Sequence, residues 1–222
     1  MLLVLSLIAL ALKLAPSPAR SLQRVSYATA YVDCLRHPGA LAMIAFGLLS
    51  HVFWHGFQTY AGTFYQVVHG LSVGELAPIF TAAGLGIMAG NMLGGRVALR
   101  VGNRWTAIGA TLVTSVLIAA QISLPIPLLA AVALHVIWSI PNGGRMPAAN
   151  ALLTEVLPER RGTVVGLNSA ASSAGTLIGA SVGGVILGSE WGLSGLGALC
   201  ALFAILSASV LWLFVREERP AA

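Results

Sequence analysis

Residues 143–170 read GGRMPAANALLTEVLPERRGTVVGLNSA. One cation, Arg145, sits inside a run of small and apolar residues, between Pro141 and Pro147. A polar break follows, from Pro158 through Glu159, Arg160 and Arg161 to Gly162. Small and apolar residues then resume. The pattern is one membrane-spanning helix with an internal Arg, a tight basic turn, and a second spanning helix.

The rest of the chain repeats that alternation. Of its 222 residues, 57% are hydrophobic and 9% charged, and the mean hydropathy is +0.88. Soluble domains carry roughly 25% charged residues, so the composition is that of a polytopic membrane protein. A helix needs about 20 apolar residues to cross the hydrocarbon core. Six full candidates meet that length, at roughly 40–66, 76–97, 105–124, 127–152, 163–187 and 193–215, with a partial one at 1–16. The chain divides into the end of a spanning helix (1–16), a cytoplasmic linker (17–39), and a six-helix bundle with a short tail (40–222). Residues 1–16 lack a basic segment ahead of the apolar run, and their positive charges follow it, which argues against a signal peptide.

Charge sets the orientation. The chain has 12 Lys and Arg. Lys13, Arg20, Arg24, Arg36, Arg96, Arg100, Arg104, Arg160, Arg161, Arg216 and Arg219 all fall in loops or at helix ends on one expected side. The positive-inside rule makes that side cytoplasmic and puts the C-terminus there. Arg145 is left inside the bilayer, where an ionisable residue is a functional-site candidate by default. The net charge of +5 is spread over every cytoplasmic loop, which makes it topogenic and gives no surface for nucleic acid. Cys34 and Cys200, in the linker and in mid-helix, read as neither disulfide nor metal ligands.

Two segments carry a family resemblance. Gly95, Arg100, Gly102 and Arg104 match the loop signature of the major facilitator superfamily, with Leu99 in place of its acid and Asn103 in place of a basic residue. Residues 143–170 resemble the tenth and eleventh helices of its drug:proton antiporter-like members, through Gly144-Arg145-Met146 with Pro147-Ala148, then Pro158 with Arg161-Gly162, then Asn168-Ser169-Ala170. The resemblance implies an all-α membrane fold, the C-terminal six-helix half of a transporter built from two inverted three-helix repeats. It also implies that Gly95, Arg100, Gly102 and Arg104 form a cytoplasmic gating loop. Gly86, Gly90 and Gly94 recur every four residues, as do Gly175, Gly179 and Gly183. Such stripes let helix backbones approach closely. The resemblance places them against the other half of the transporter, while packing within the same bundle is the alternative.

Candidate cavity residues come from polar faces at helical spacing. His51, His55 and Gln58 share one face of the first full span, and His135, Asn142 and Arg145 lie on about one face of the fourth. Asn150 points elsewhere on that helix. Pro141 and Pro147 suggest a kinked or discontinuous helix. Asn168, Ser172 and Thr176 align on the fifth span, as cavity lining or as interhelical glue. His51 and His55 lack the Glu and the third ligand of a zinc site, so no metal is expected.

No span carries an interior Asp or Glu. Proton coupling would then fall to His51, His55 or His135, or to residues outside this chain. The sequence shows no nucleotide loop, nucleophile elbow or dinucleotide fingerprint, so neither an enzyme nor a cofactor is expected. The expected function is secondary transport of a small molecule across a bacterial inner membrane, as efflux by proton antiport. The partners are then protons, the lipid bilayer, and an N-terminal transporter half or a second copy. Alternatives are a non-transporting interaction or assembly protein, an inactive gene fragment and an uptake permease. Apolar surroundings favour an amphipathic substrate, and Arg145 favours an anion.

Overall fold

The computed structural model describes residues 27–215 and Glu217. The expectations for 1–16, and for the linker up to residue 26, lie outside the described residues. Among those described, all regular structure is helical. The elements are α1 (Tyr27–Arg36), α2 (Pro38–Gln58), α3 (Ala61–His69), α4 (Val73–Val101), α5 (Asn103–Ser123), α6 (Leu128–Val156), a 3₁₀ turn (Pro158–Arg160), α7 (Arg161–Leu187) and α8 (Gly192–Phe214).

The ends of these helices follow local chemistry. Pro38 opens α2, where a missing N–H costs nothing, and the His37 ring accepts from Ala40 N at 3.2 Å. Glu75 in the first turn of α4 accepts from Ser72 N at 2.8 Å. Gly70 closes α3 at φ 70°, a left-handed angle that suits glycine. The span expected at 40–66 is divided: α2 ends at Gln58 and α3 starts at Ala61. The Tyr60 hydroxyl at that break donates to Ala180 O at 2.6 Å, pinning it to α7.

Five helical stretches are long and apolar enough to cross a membrane: Pro38–His69, Val73–Val101, Asn103–Ser123, Pro158–Leu187 and Gly192–Phe214. This corrects the expected six. The exception, α6, has the length but not the apolarity, because it carries His135, Asn142, Arg145 and two internal prolines. It is also helical across all 29 residues, with Pro141 and Pro147 inside, so of the expected kinked or discontinuous helix the break is absent.

Packing has an internal symmetry. Taking α2 with α3 as one unit, the first triplet is α2/α3, α4 and α5, and the second is α6, α7 and α8. The main contacts pair α2 with α7 and α8, α6 with α4 and α5, and α5 with α8. Exchanging the two triplets maps this set onto itself. Each triplet is three successive rods, an odd number, so the two triplets run in opposite senses, as inverted repeats do.

The glycine stripes occupy equivalent places in the two repeats. A Cβ at Gly90 would collide with Ile140 O, one at Gly94 with the Gly144 backbone, and one at Gly86 would lie 2.9 Å from Val136 O. All three contacts are to α6. In the other repeat, a Cβ at Gly175 would collide with Leu48 O, one at Gly179 would lie 2.6 Å from Val52 O, and one at Gly183 would lie 3.0 Å from the Tyr60 ring. These contacts are to α2 and to the residue that joins it to α3. The stripes are therefore spent inside the bundle, which corrects the expectation that they face a missing half. Side-chain-free surfaces let the paired backbones approach closely, and dispersion between them replaces the hydrophobic drive that lipid does not supply.

Candidate functional site

Gly143 and Gly144 set the rotation of α6. A Cβ at Gly143 would collide with Ile87 O, and Gly144 lies against Gly90 and Gly94. With that face seated on α4, the next residue, Arg145, reaches a cleft between α2, α6 and α7. The cleft holds about 280 Å³, and Phe46, Ser50, His51, Asn150, Asn168 and Ser172 are among its walls. Gly47 makes room on the α2 side, since a Cβ there would collide with the Asn168 amide oxygen.

Arg145 is only 3% exposed. Its Nη2 donates to Asn142 Oδ1 at 3.2 Å, and its guanidinium carbon lies 6.0 Å from the centre of the Phe46 ring. Its Nε is buried with no hydrogen-bond partner, and so is Ser172 Oγ. The ion pair found among the described residues, Arg160 with Asp33 at 3.5 Å, lies elsewhere. A guanidinium held away from water without an anion is costly, so the cleft is electropositive and under-satisfied. His51 Nδ1 pairs with Gly47 O at 2.8 Å, and its ring stacks on His55 at 5.9 Å.

The expected cavity residues divide. Arg145 and His51 share the cleft, Asn142 buttresses Arg145 from one turn away, and His55 stacks behind His51. Gln58 lies two turns beyond His51, where its Oε1 is buried without a partner. His135 is elsewhere, fully buried in an aromatic cluster with Tyr65 and Trp138. Its ring stacks on Trp138 at 4.4 Å, and its Nδ1 is 3.1 Å from the Tyr65 hydroxyl. Gln121 joins them: Trp138 Nε1 donates to Gln121 Oε1 at 2.6 Å, and Gln121 Nε2 donates to the Tyr65 oxygen at 3.1 Å. Asn150, expected to point away, lines the Arg145 cleft. Asn168 and Ser172 line it too, and their spacing on the fifth span was the signal for them.

The basic segment is a one-residue turn. Gly95 and Arg100 lie within α4, and only Gly102 separates α4 from α5. Gly102 has φ 95° and ψ 154°, a conformation reserved for glycine. The Glu217 carboxylate accepts from Asn103 N at 2.7 Å and Arg104 N at 3.0 Å, capping the positive end of α5. The Arg104 guanidinium donates to Trp212 O at the far end of α8. The tail thus supplies here the acid that Leu99 does not.

Known proteins share this architecture. The chain is 26% identical over 206 residues to "Uncharacterized MFS-type transporter YceJ" of Bacillus subtilis (strain 168), covering 92% of this chain and 52% of that protein. Its fold matches the crystal structure of a bacterial homolog to the human lysosomal transporter Spinster, inward-facing and unoccupied. There the TM-score is 0.58 at 17% identity, over 90% of this chain and 51% of the other. The chain spans about half the length of each. The Major Facilitator Superfamily model matches residues 43–222, which include every residue lining the cleft, and the chain belongs to that family.

Proposed function

We propose that the chain forms one six-helix half of a secondary transporter that exports a small molecule in exchange for protons. It lies in a bacterial inner membrane with its C-terminus in the cytoplasm. The observation that carries this reading is the Arg145 cleft. It draws walls from both inverted repeats, α2 from the first and α6 and α7 from the second, the kind of seam at which transporters of this architecture bind substrate. Apart from Arg145, His51 is the titratable side chain on the cleft wall, and histidine changes charge near neutral pH.

The test uses proteoliposomes holding the complete transporter, with a pH dye trapped inside and a pH gradient imposed. Two probes, the amphipathic cation ethidium and the amphipathic anion 1-naphthylacetate, report export. At least one should move against its gradient and dissipate the pH gradient as it does. Arg145→Ala should cut that flux about tenfold or more, the scale of losing a hydrogen bond to a charged group. His51→Ala should uncouple probe movement from proton movement. An Arg145→Ala protein that transports as well as the parent sinks the proposal.

A further inference from the structure

The proposed transport reading leaves open what the cleft binds, and the chemistry of its walls narrows that. Arg145 Nε and Ser172 Oγ are two buried polar groups without hydrogen-bond partners, and their residues line the same cleft from different helices. The Asn168 side chain stands on the same wall, and Phe46 offers a ring beside the guanidinium. None of the cleft's wall residues is Asp or Glu. The site therefore presents one guanidinium, hydroxyl and amide partners, and an aromatic surface, with no anion of its own.

We propose that Arg145, Asn168 and Ser172 form a carboxylate-binding subsite for amphipathic organic acids, with the acid's ring or chain packed against Phe46. The proposal rests on the transport reading of the cleft and assigns its ligand class. A planar guanidinium with a free Nε–H suits a carboxylate, which can take two parallel N–H bonds side on. A phosphate dianion would call for a second permanent cation, and no other Arg or Lys lines the cleft. The volume of about 280 Å³ is near the lower bound for small-molecule sites, which matches a compact acid.

Equilibrium dialysis of the complete transporter in phosphatidylcholine nanodiscs tests this with three probes of one skeleton: 1-naphthylacetate, neutral 2-(1-naphthyl)ethanol and cationic 2-(1-naphthyl)ethylamine. The carboxylate should bind saturably and at least tenfold tighter than the alcohol, and the amine should not bind. Arg145→Gln should weaken carboxylate binding about tenfold or more and leave the weak alcohol binding unchanged. Arg145→Lys should keep part of the effect, and Ser172→Ala should weaken binding by a smaller factor. Thermal melts separate site from fold. Removing a buried cation that has no anionic partner among the described residues should leave the melting temperature of Arg145→Gln equal or higher. A marked fall would reveal a carboxylate partner contributed from beyond the described residues, and it would overturn the proposal. So would equal binding of the three probes, or loss of carboxylate binding when phosphatidylglycerol is added, which would make the anion a lipid headgroup. Saturable Arg145-dependent binding without any flux would sink the transport reading and leave the subsite standing. Equal binding of the three naphthyl probes, beside proton-coupled flux that falls in Arg145→Gln, would do the reverse.

Discussion

Gly102 is the smallest part of this molecule on which the path of the chain depends. Two helices of opposite direction meet at it, and its φ of 95° lies where a Cβ is strained. A Cβ there would also stand 2.6 Å from Glu217 Oε2. Gly102→Ala should therefore lose about 1–3 kcal/mol, partly by displacing the Glu217 cap, as read from thermal melts in detergent. Glu217→Ala alone should cost less, about 0.5–2 kcal/mol, the range of a lost helix cap. If the two variants melted alike, backbone strain at Gly102 would be excluded as a separate contribution. The same scale shows what one sequence discloses. Gly102 and Arg104 stood out by spacing, because a basic reversal between apolar runs needs a turn residue. Glu217, which completes that turn, did not, because 113 or more residues separate it from its partners.

Among the elements, the closest approaches decide stability. Gly90 and Gly95 sit on the same helix, yet a Cβ at Gly90 would collide with Ile140 O while one at Gly95 would meet nothing within 4 Å. Gly90→Ala should push α4 off α6 and cost about 1–3 kcal/mol, as overpacking does. Gly95→Ala should be neutral or slightly stabilising, since alanine is the better helix former. Equal melting temperatures for the two would show that the seam is loose. The four-residue period of the stripes was legible because it marks one helix face, but a period does not say which neighbour that face meets. His135 fails as a cavity residue for a related reason. It shares an approximate face with Arg145 but lies ten residues away, about 15 Å along the axis. At that height the neighbours are Tyr65 and Gln121, not His51 and Asn168. Its network is structural in character. Gln121→Leu would strand the Trp138 N–H and remove a donor to Tyr65, costing about 1–3 kcal/mol with little change in binding at the Arg145 cleft.

Across the whole molecule, the two helix triplets and the basic residues place the loops on opposite faces. Arg96, Arg100, Arg104, Arg160 and Arg161 gather toward the face that holds Gly102, the 3₁₀ turn and Glu217, and Arg160 reaches Asp33 there. The opposite face carries the connections around Ser72, Pro127 and Ser189, none with a Lys or Arg. This asymmetry was readable without coordinates, because it depends on composition per loop and not on which helices touch. Its consequence is testable by labelling single cysteines with a membrane-impermeant maleimide. The background is favourable, since Cys34 and Cys200 are both buried and burial pushes the Cys34 thiol pKa up, leaving less thiolate to react. In a variant lacking both, Ser72→Cys and Ser189→Cys are exposed positions that should react from outside spheroplasts. Glu159→Cys, exposed on the basic face, should react only after permeabilisation. The reverse pattern would invert the proposed orientation, and it would put the Arg145 cleft nearer the outer face. Reaction of all three from outside would contradict a spanning α7, because α7 alone separates residue 159 from Ser189.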